Sequence, residues 1–135
     1  MSGLPWLRGV GWLDRGTPFE TGAVAEDFVV RLRSLLQAAF QPVIFPGVHT
    51  CDVCQYNGAI GSSNLFVPGD GVLFVCPELI VHYISAHWYR PPDVFIESVM
   101  RCPDMGTPEY RRAFLAAGGR GWLRAMKGNT GPSNR

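Results

Sequence analysis

Two short apolar runs, Asn64–Val67 and Val72–Cys76, stand on either side of Pro68-Gly69-Asp70-Gly71. Four turn-forming residues between two strand-like segments predict a β-hairpin. A third strand is predicted at Val43–Val48, where β-branched apolar residues cluster and Pro46 implies an edge position or an early end. Cys51–Ser63, with Gly58, Gly61 and two serines, reads as a loop. A sheet this small cannot make a core alone, so helices must cover it.

Four segments have helical spacing. In residues 24–39, Phe28, Leu32, Leu35, Leu36 and Ala39 recur three and four apart and form one apolar face. Glu26 and Asp27 lie in its first turn, where the helix dipole favours acids, and Pro42 follows its end. Pro77 and Glu78 suit the start of a second helix, which should run to about His87, before Pro91-Pro92. A third is predicted over Pro92–Arg101, with Phe95, Val99 and Met100 inward and Pro103 beyond its end. Thr107-Pro108-Glu109 combines a cap, a proline at the first position and an acid, so a fourth helix should run to about Ala117 and stop at Gly118-Gly119. The expectation is an α+β fold: a small antiparallel sheet of about three strands, with about four helices on one side.

The chain has 135 residues, enough for one domain. Hydrophobic residues are 47% and charged residues 17% of it, which argues against intrinsic disorder. Residues 1–22 mix Gly and Pro with Trp6, Trp12, Leu13 and Phe19, and read as an irregular arm packed on the body. Residues 23–118 would be the domain, and 119–135 a basic, flexible tail. No run of 18 apolar residues occurs, which excludes a spanning helix, and no apolar stretch near the start suits a secretory signal. The default location is the cytoplasm. Residues 1–109 carry 6 basic and 11 acidic side chains, a net of −5, whereas 110–135 carry a net of +6 with no acid. Nucleic acid could meet Arg111, Arg112, Arg120, Arg124 and Lys127, but no aromatic stacking series accompanies them.

The chemistry-bearing residues are four cysteines and three histidines. In His49-Thr50-Cys51-Asp52-Val53-Cys54, two thiolates two residues apart can turn toward one cation, and cytoplasmic thiols stay reduced and available. This is half of a tetrahedral zinc site. His82 and His87, with four residues between them, fall within the spacing of zinc pairs. On a regular α-helix, positions five apart point ~140° from one another, so the last turn must depart from α geometry for both rings to share an ion. Cys51, Cys54, His82 and His87 are the first expected ligand set. A set with Cys76 in place of His87 is the second, and His49 is a further candidate. The ion would stitch the loop to the second helix. Cys102, between a helix and Pro103, is expected to be a free, partly buried thiol.

The alternatives are chemical. Cys51 and Cys54 as a redox dithiol would open a helix within a βαβ unit, but a glycine-rich loop follows them. A hydrolytic zinc needs an open position and a carboxylate base, for which Glu78 or Asp52 are candidates. Neither sits in a His-Glu-x-x-His arrangement, and two thiolates weaken the Lewis acidity of the metal. No phosphate-cradling loop and no nucleophile elbow occur. The expectation leans toward a zinc-stabilised protein-interaction or accessory module, with Tyr83, Trp88 and Tyr89 as the contact patch; the alternative is a small zinc-dependent hydrolase.

Several segments together carry a resemblance. They are Pro18-Phe19 with Gly22; Gly47-x-His49-x-Cys51-x-x-Cys54-Gln55; Asn64-Leu65-Phe66-Val67-Pro68; Cys76-Pro77-Glu78-Leu79-Ile80-x-His82-Tyr83-Ile84-x-x-His87-x-Tyr89; Pro91-Pro92-x-x-Phe95; Cys102-Pro103-x-Met105-Gly106; and Tyr110. This string, spanning about residues 17–115, resembles a family of small uncharacterised bacterial proteins that has no assigned activity. The resemblance implies that His49, Cys51, Cys54, His82 and His87 belong to the family signature and that position 76 is often a small residue. It therefore favours the set with His87.

Overall fold

The computed structural model describes residues 6–13, 18–38, 64–121 and 123–124. The strand expected at Val43–Val48 and the loop expected at Cys51–Ser63 lie outside them. In chain order the elements are β1 (Leu7–Gly9), α1 (Glu26–Gln37), β2 (Asn64–Pro68), β3 (Leu73–Pro77), α2 (Ile80–His87), α3 (Asp93–Arg101) and α4 (Pro108–Phe114), with a wider π-helical turn at Leu115–Gly119. The fold is α+β, as expected, but the sheet is mixed rather than antiparallel.

β2 and β3 form the expected hairpin, in register from Asn64↔Pro77 to Pro68↔Leu73. The Gly69 N–H closes its turn on the Val72 carbonyl at 2.7 Å, and Gly71 takes φ +72°, a conformation open to glycine at little cost. The other neighbour of β3 is β1, paired parallel from Leu7↔Leu73 to Gly9↔Val75, so β3 is central. Part of the arm expected to be irregular is therefore a strand. Three residues, Leu7-Arg8-Gly9, are too few to display a two-residue period.

The helices cover both faces of the sheet, not one. Phe66 meets Phe114 of α4 edge-on at 5.9 Å, and its carbonyl accepts a 2.6 Å bond from the Tyr110 hydroxyl. Phe74 meets Phe95 of α3 at 5.6 Å. Phe66 is opposite Val75 in the register, so Phe66 and Phe74 point to opposite faces. This explains why β2 and β3 are continuous apolar runs rather than alternating ones. On the α3 side, Phe28 of α1 closes on Phe95 at 6.3 Å. The Arg31 guanidinium then joins α1 to the segment after α3 by donating to the Asp104 carboxylate at 2.8 Å and to the Cys102 carbonyl.

Phe28, Leu32 and Leu35 of α1, and Phe95 and Val99 of α3, are buried as the spacing predicts, while Met100 faces outward. The Thr107 hydroxyl accepts the Tyr110 N–H at 3.2 Å and caps α4 as expected. The second helix begins three residues later than predicted, because Pro77 ends β3 instead of opening α2. β1 stops pairing at Val75, so no neighbour there asks Pro77 for the N–H it lacks.

The fourth helix does not simply stop at Gly118-Gly119. Gly118, at φ +130°, kinks it, and helical backbone resumes at 120–121 and 123–124. A Cβ on Gly118 would lie 2.6 Å from the Trp6 ring, so the indole of the arm seats directly on this kink. The first residues of the segment expected to be a flexible tail thus hold one end of the arm, and Leu123 packs on the core.

Candidate metal centre

The site is built on α2. Its inward residues, Ile80 and Tyr83, are buried, which leaves His82 and His87 half-buried at the edge of the fold. Their rings are 5.0 Å apart between centroids with planes at 77°. Zinc–nitrogen bonds of ~2.0–2.1 Å and a tetrahedral angle put the centroids of two imidazoles on one ion roughly 5 Å apart. The spacing observed fits two rings on one ion, and it is equally that of an edge-to-face ring contact.

A regular α-helix would not bring these rings together; the end of α2 does. The N–H groups of Trp88 and Tyr89 both donate to the Tyr83 carbonyl, five and six residues back. Such a turn is wider than an α-turn, advances less per residue around the axis, and swings His87 back toward His82. The chain leaves through Trp88 in the left-handed region, at φ +58°. A bulky residue pays roughly 1–2 kcal/mol there, which the surrounding structure must over-determine. Trp88→Gly is accordingly expected to leave stability unchanged or raise it by up to about 1 kcal/mol, and Trp88→Val to lower it by about 1–2 kcal/mol. Urea unfolding of the two variants checks this; equal midpoints would show that the corner stores no strain.

Burial, and then the neighbouring His87, push the His82 imidazole below its ordinary range. Both effects favour the neutral ring that a metal requires. A cleft of about 550 Å³ opens beside it between α1 and α2. Arg33, Leu36 and Gln37 line one wall; Glu78, Val81, His82 and Ser85 line the other. Val81, His82 and Ser85 share one face of α2, and Glu78, in the turn just before the helix, continues the same i, i+3, i+4, i+7 spacing. That spacing is the sequence signal that could have added Ser85 to the candidates. Arg33 belongs to no motif.

His49, Cys51, Asp52 and Cys54 lie outside the described residues. Among the described residues, no three His, Cys, Asp or Glu side chains come together in a group that could hold an ion. Cys76 is a fully buried core residue of β3, opposite Leu65, and burial pushes its thiol far up, away from the thiolate form. Cys102 is a buried free thiol whose pKa burial raises to about 11, against the pull of Arg31.

The expected contact patch is corrected. Tyr83 and Tyr89 are core residues, 3% and 7% exposed, because Tyr83 faces inward from α2 and Tyr89 pairs with Thr21 and packs edge-on against Phe19 at 5.9 Å. Only Trp88 of the three faces solvent, at 65%. Arg111, Arg112, Arg120 and Arg124 are exposed, with Arg112 at 3.9 Å from Glu109; Lys127 lies outside the described residues. No helix among the described residues is long and apolar enough to cross a membrane.

The family described as a domain of unknown function (DUF7919) matches residues 2–100. The chain belongs to this family. The matched span takes in nearly all of the arm, the positions of His49, Cys51, Cys54, His82 and His87, and nearly all of α3, but leaves out α4. It starts earlier and ends earlier than the resemblance drawn from the motifs. No curated protein and no solved structure matches the chain.

Proposed function

We propose that the protein binds one zinc ion through Cys51, Cys54, His82 and His87, and that the ion is structural, tying the segment that follows α1 to the end of α2 in a metal-stabilised interaction or accessory module. The observation that carries the reading is the His82–His87 pair, 5.0 Å apart at the mouth of an atypical helix end. The Cys51-x-x-Cys54 pair supplies the complementary half of a tetrahedral set. Thiolate ligands require a reducing compartment, in keeping with the cytoplasm. Two thiolates also make the ion a poor Lewis acid, which suits structure better than hydrolysis.

The cleft favours a second reading. Glu78 and His82 share it, so an ion with an open fourth position would have a carboxylate base beside it. Elemental mass spectrometry of untagged protein tests both. The expected result is one zinc per chain, lost in Cys51→Ala and in His82→Ala. Zinc kept in Cys51→Ala but lost in His82→Ala would favour the open, hydrolytic site. Zinc absent from the wild-type protein would sink both readings.

A further inference from the structure

We infer that the N-terminal arm positions this metal site through Arg90, an inference that rests on the zinc reading above. The placement of His87 against His82 depends on the wide final turn of α2 and on the left-handed exit at Trp88. Residues 19–23 hold that exit at several points. The Gly22 N–H donates to the Trp88 carbonyl at 3.0 Å, Thr21 and Tyr89 form an antiparallel bridge, and the Phe19 ring packs edge-on against Tyr89. The backbone N–H of Arg90 donates to the Glu20 carbonyl at 3.0 Å.

The Arg90 side chain locks the arrangement. Its Nη1 donates to the Ala23 carbonyl at 2.8 Å, and its Nη2 to the Asp93 carboxylate at 2.6 Å. One residue therefore ties together the strap before α1, the exit of α2 and the start of α3. The stem runs against Gly22, where an added Cβ would lie 3.2 Å from the Arg90 Cδ. Arg90 touches neither imidazole in this network; it is a positioning residue that acts through the backbone on where His87 stands. Coupling of this kind is reciprocal: if the docked strap favours the metal, the metal favours the docked strap.

The test measures zinc affinity of the full chain by chelator competition, together with amide hydrogen exchange. Arg90→Ala is expected to weaken zinc binding about 10–100-fold, the scale at which residues behind metal ligands act, while helix content by circular dichroism is unchanged. Arg90→Lys, which keeps the charge but reaches one acceptor at a time, is expected to recover part of the loss. In the wild-type protein, zinc is expected to slow exchange at the Gly22 and Arg90 amides, a readout that needs no variant. An Arg90→Ala affinity equal to that of the wild type would overturn the inference and leave the zinc reading standing, as would Gly22 exchange that ignores bound zinc. A wild-type protein that binds no zinc would instead remove the reading itself.

Discussion

Phe95→Ala is expected to destabilise the protein by about 3–5 kcal/mol, the cost of emptying a fully buried aromatic site. Phe95 is 0% exposed and lies between Phe28 of α1 and Phe74 of β3, with both rings edge-on to it. It is the point where two helices and the central strand meet, so three elements would border the cavity. Edge-on ring pairs contribute about 0.5–1.5 kcal/mol each beyond the buried area, which places this site toward the upper end of the range. A domain of this size has about 5–15 kcal/mol in total, so the variant would keep only a fraction of its stability. The neighbouring Val94, 60% exposed, is the control. Val94→Ala is expected to shift stability by no more than about 0.5 kcal/mol. Urea unfolding followed by circular dichroism separates the two, and a Phe95→Ala loss below about 1 kcal/mol would show that the α1–α3–β3 junction is not the core it is described to be.

Stripping the proposed zinc with a chelator is expected to cost about 4 kcal/mol or more, the stabilisation of a site held at a thousandfold excess over its dissociation constant. In isolated zinc fingers the metal contributes more, and without it they do not fold. Here the sheet is covered on both faces by Phe66–Phe114 and Phe74–Phe95 contacts that need no metal. The stripped protein should therefore keep most of its helix signal and lose stability rather than structure. His82→Ala should reproduce the stripped state and should no longer respond to chelator. Identical unfolding curves with and without chelator would mean that any bound ion stabilises nothing, and the structural role would fall.

Much of the scaffold was legible in local residues. The turn Pro68–Gly71 announces the hairpin, the three-and-four spacing of Phe28, Leu32 and Leu35 announces α1, and Thr107-Pro108-Glu109 announces α4. Each of these signals acts over a few neighbouring residues, where propensity and capping decide the backbone. The misses share one cause. β1 exists because β3 has a free edge for it, and Pro77 closes a strand because β1 has already ended there. Burial of Tyr83 and Tyr89 follows from what packs on them, Phe19 included, and nothing in Tyr83-x-x-x-x-Trp88-Tyr89 separates a core tyrosine from an exposed one.

The candidate site divides in the same way. Residue types and spacing rank Cys51, Cys54, His82 and His87 as the first candidate set, with Cys76 and His49 as the alternatives, because few other side chains bind a metal. Spacing alone also predicted an obstacle, since positions five apart on an α-helix diverge. Only the tertiary structure removes it: the strap at 19–23 and Arg90 hold Trp88 left-handed, the last turn of α2 widens, and the two rings come to 5.0 Å. The sequence by itself determined the candidate ligand residues, the hairpin and most of the helices, because those are choices made by each residue and its neighbours. The mixed sheet, the two-sided burial and the convergence of His82 with His87 were decided by contacts between residues some twenty to nearly seventy positions apart in the chain, from Phe74 with Phe95 to Arg90 with Ala23, which no local pattern can encode.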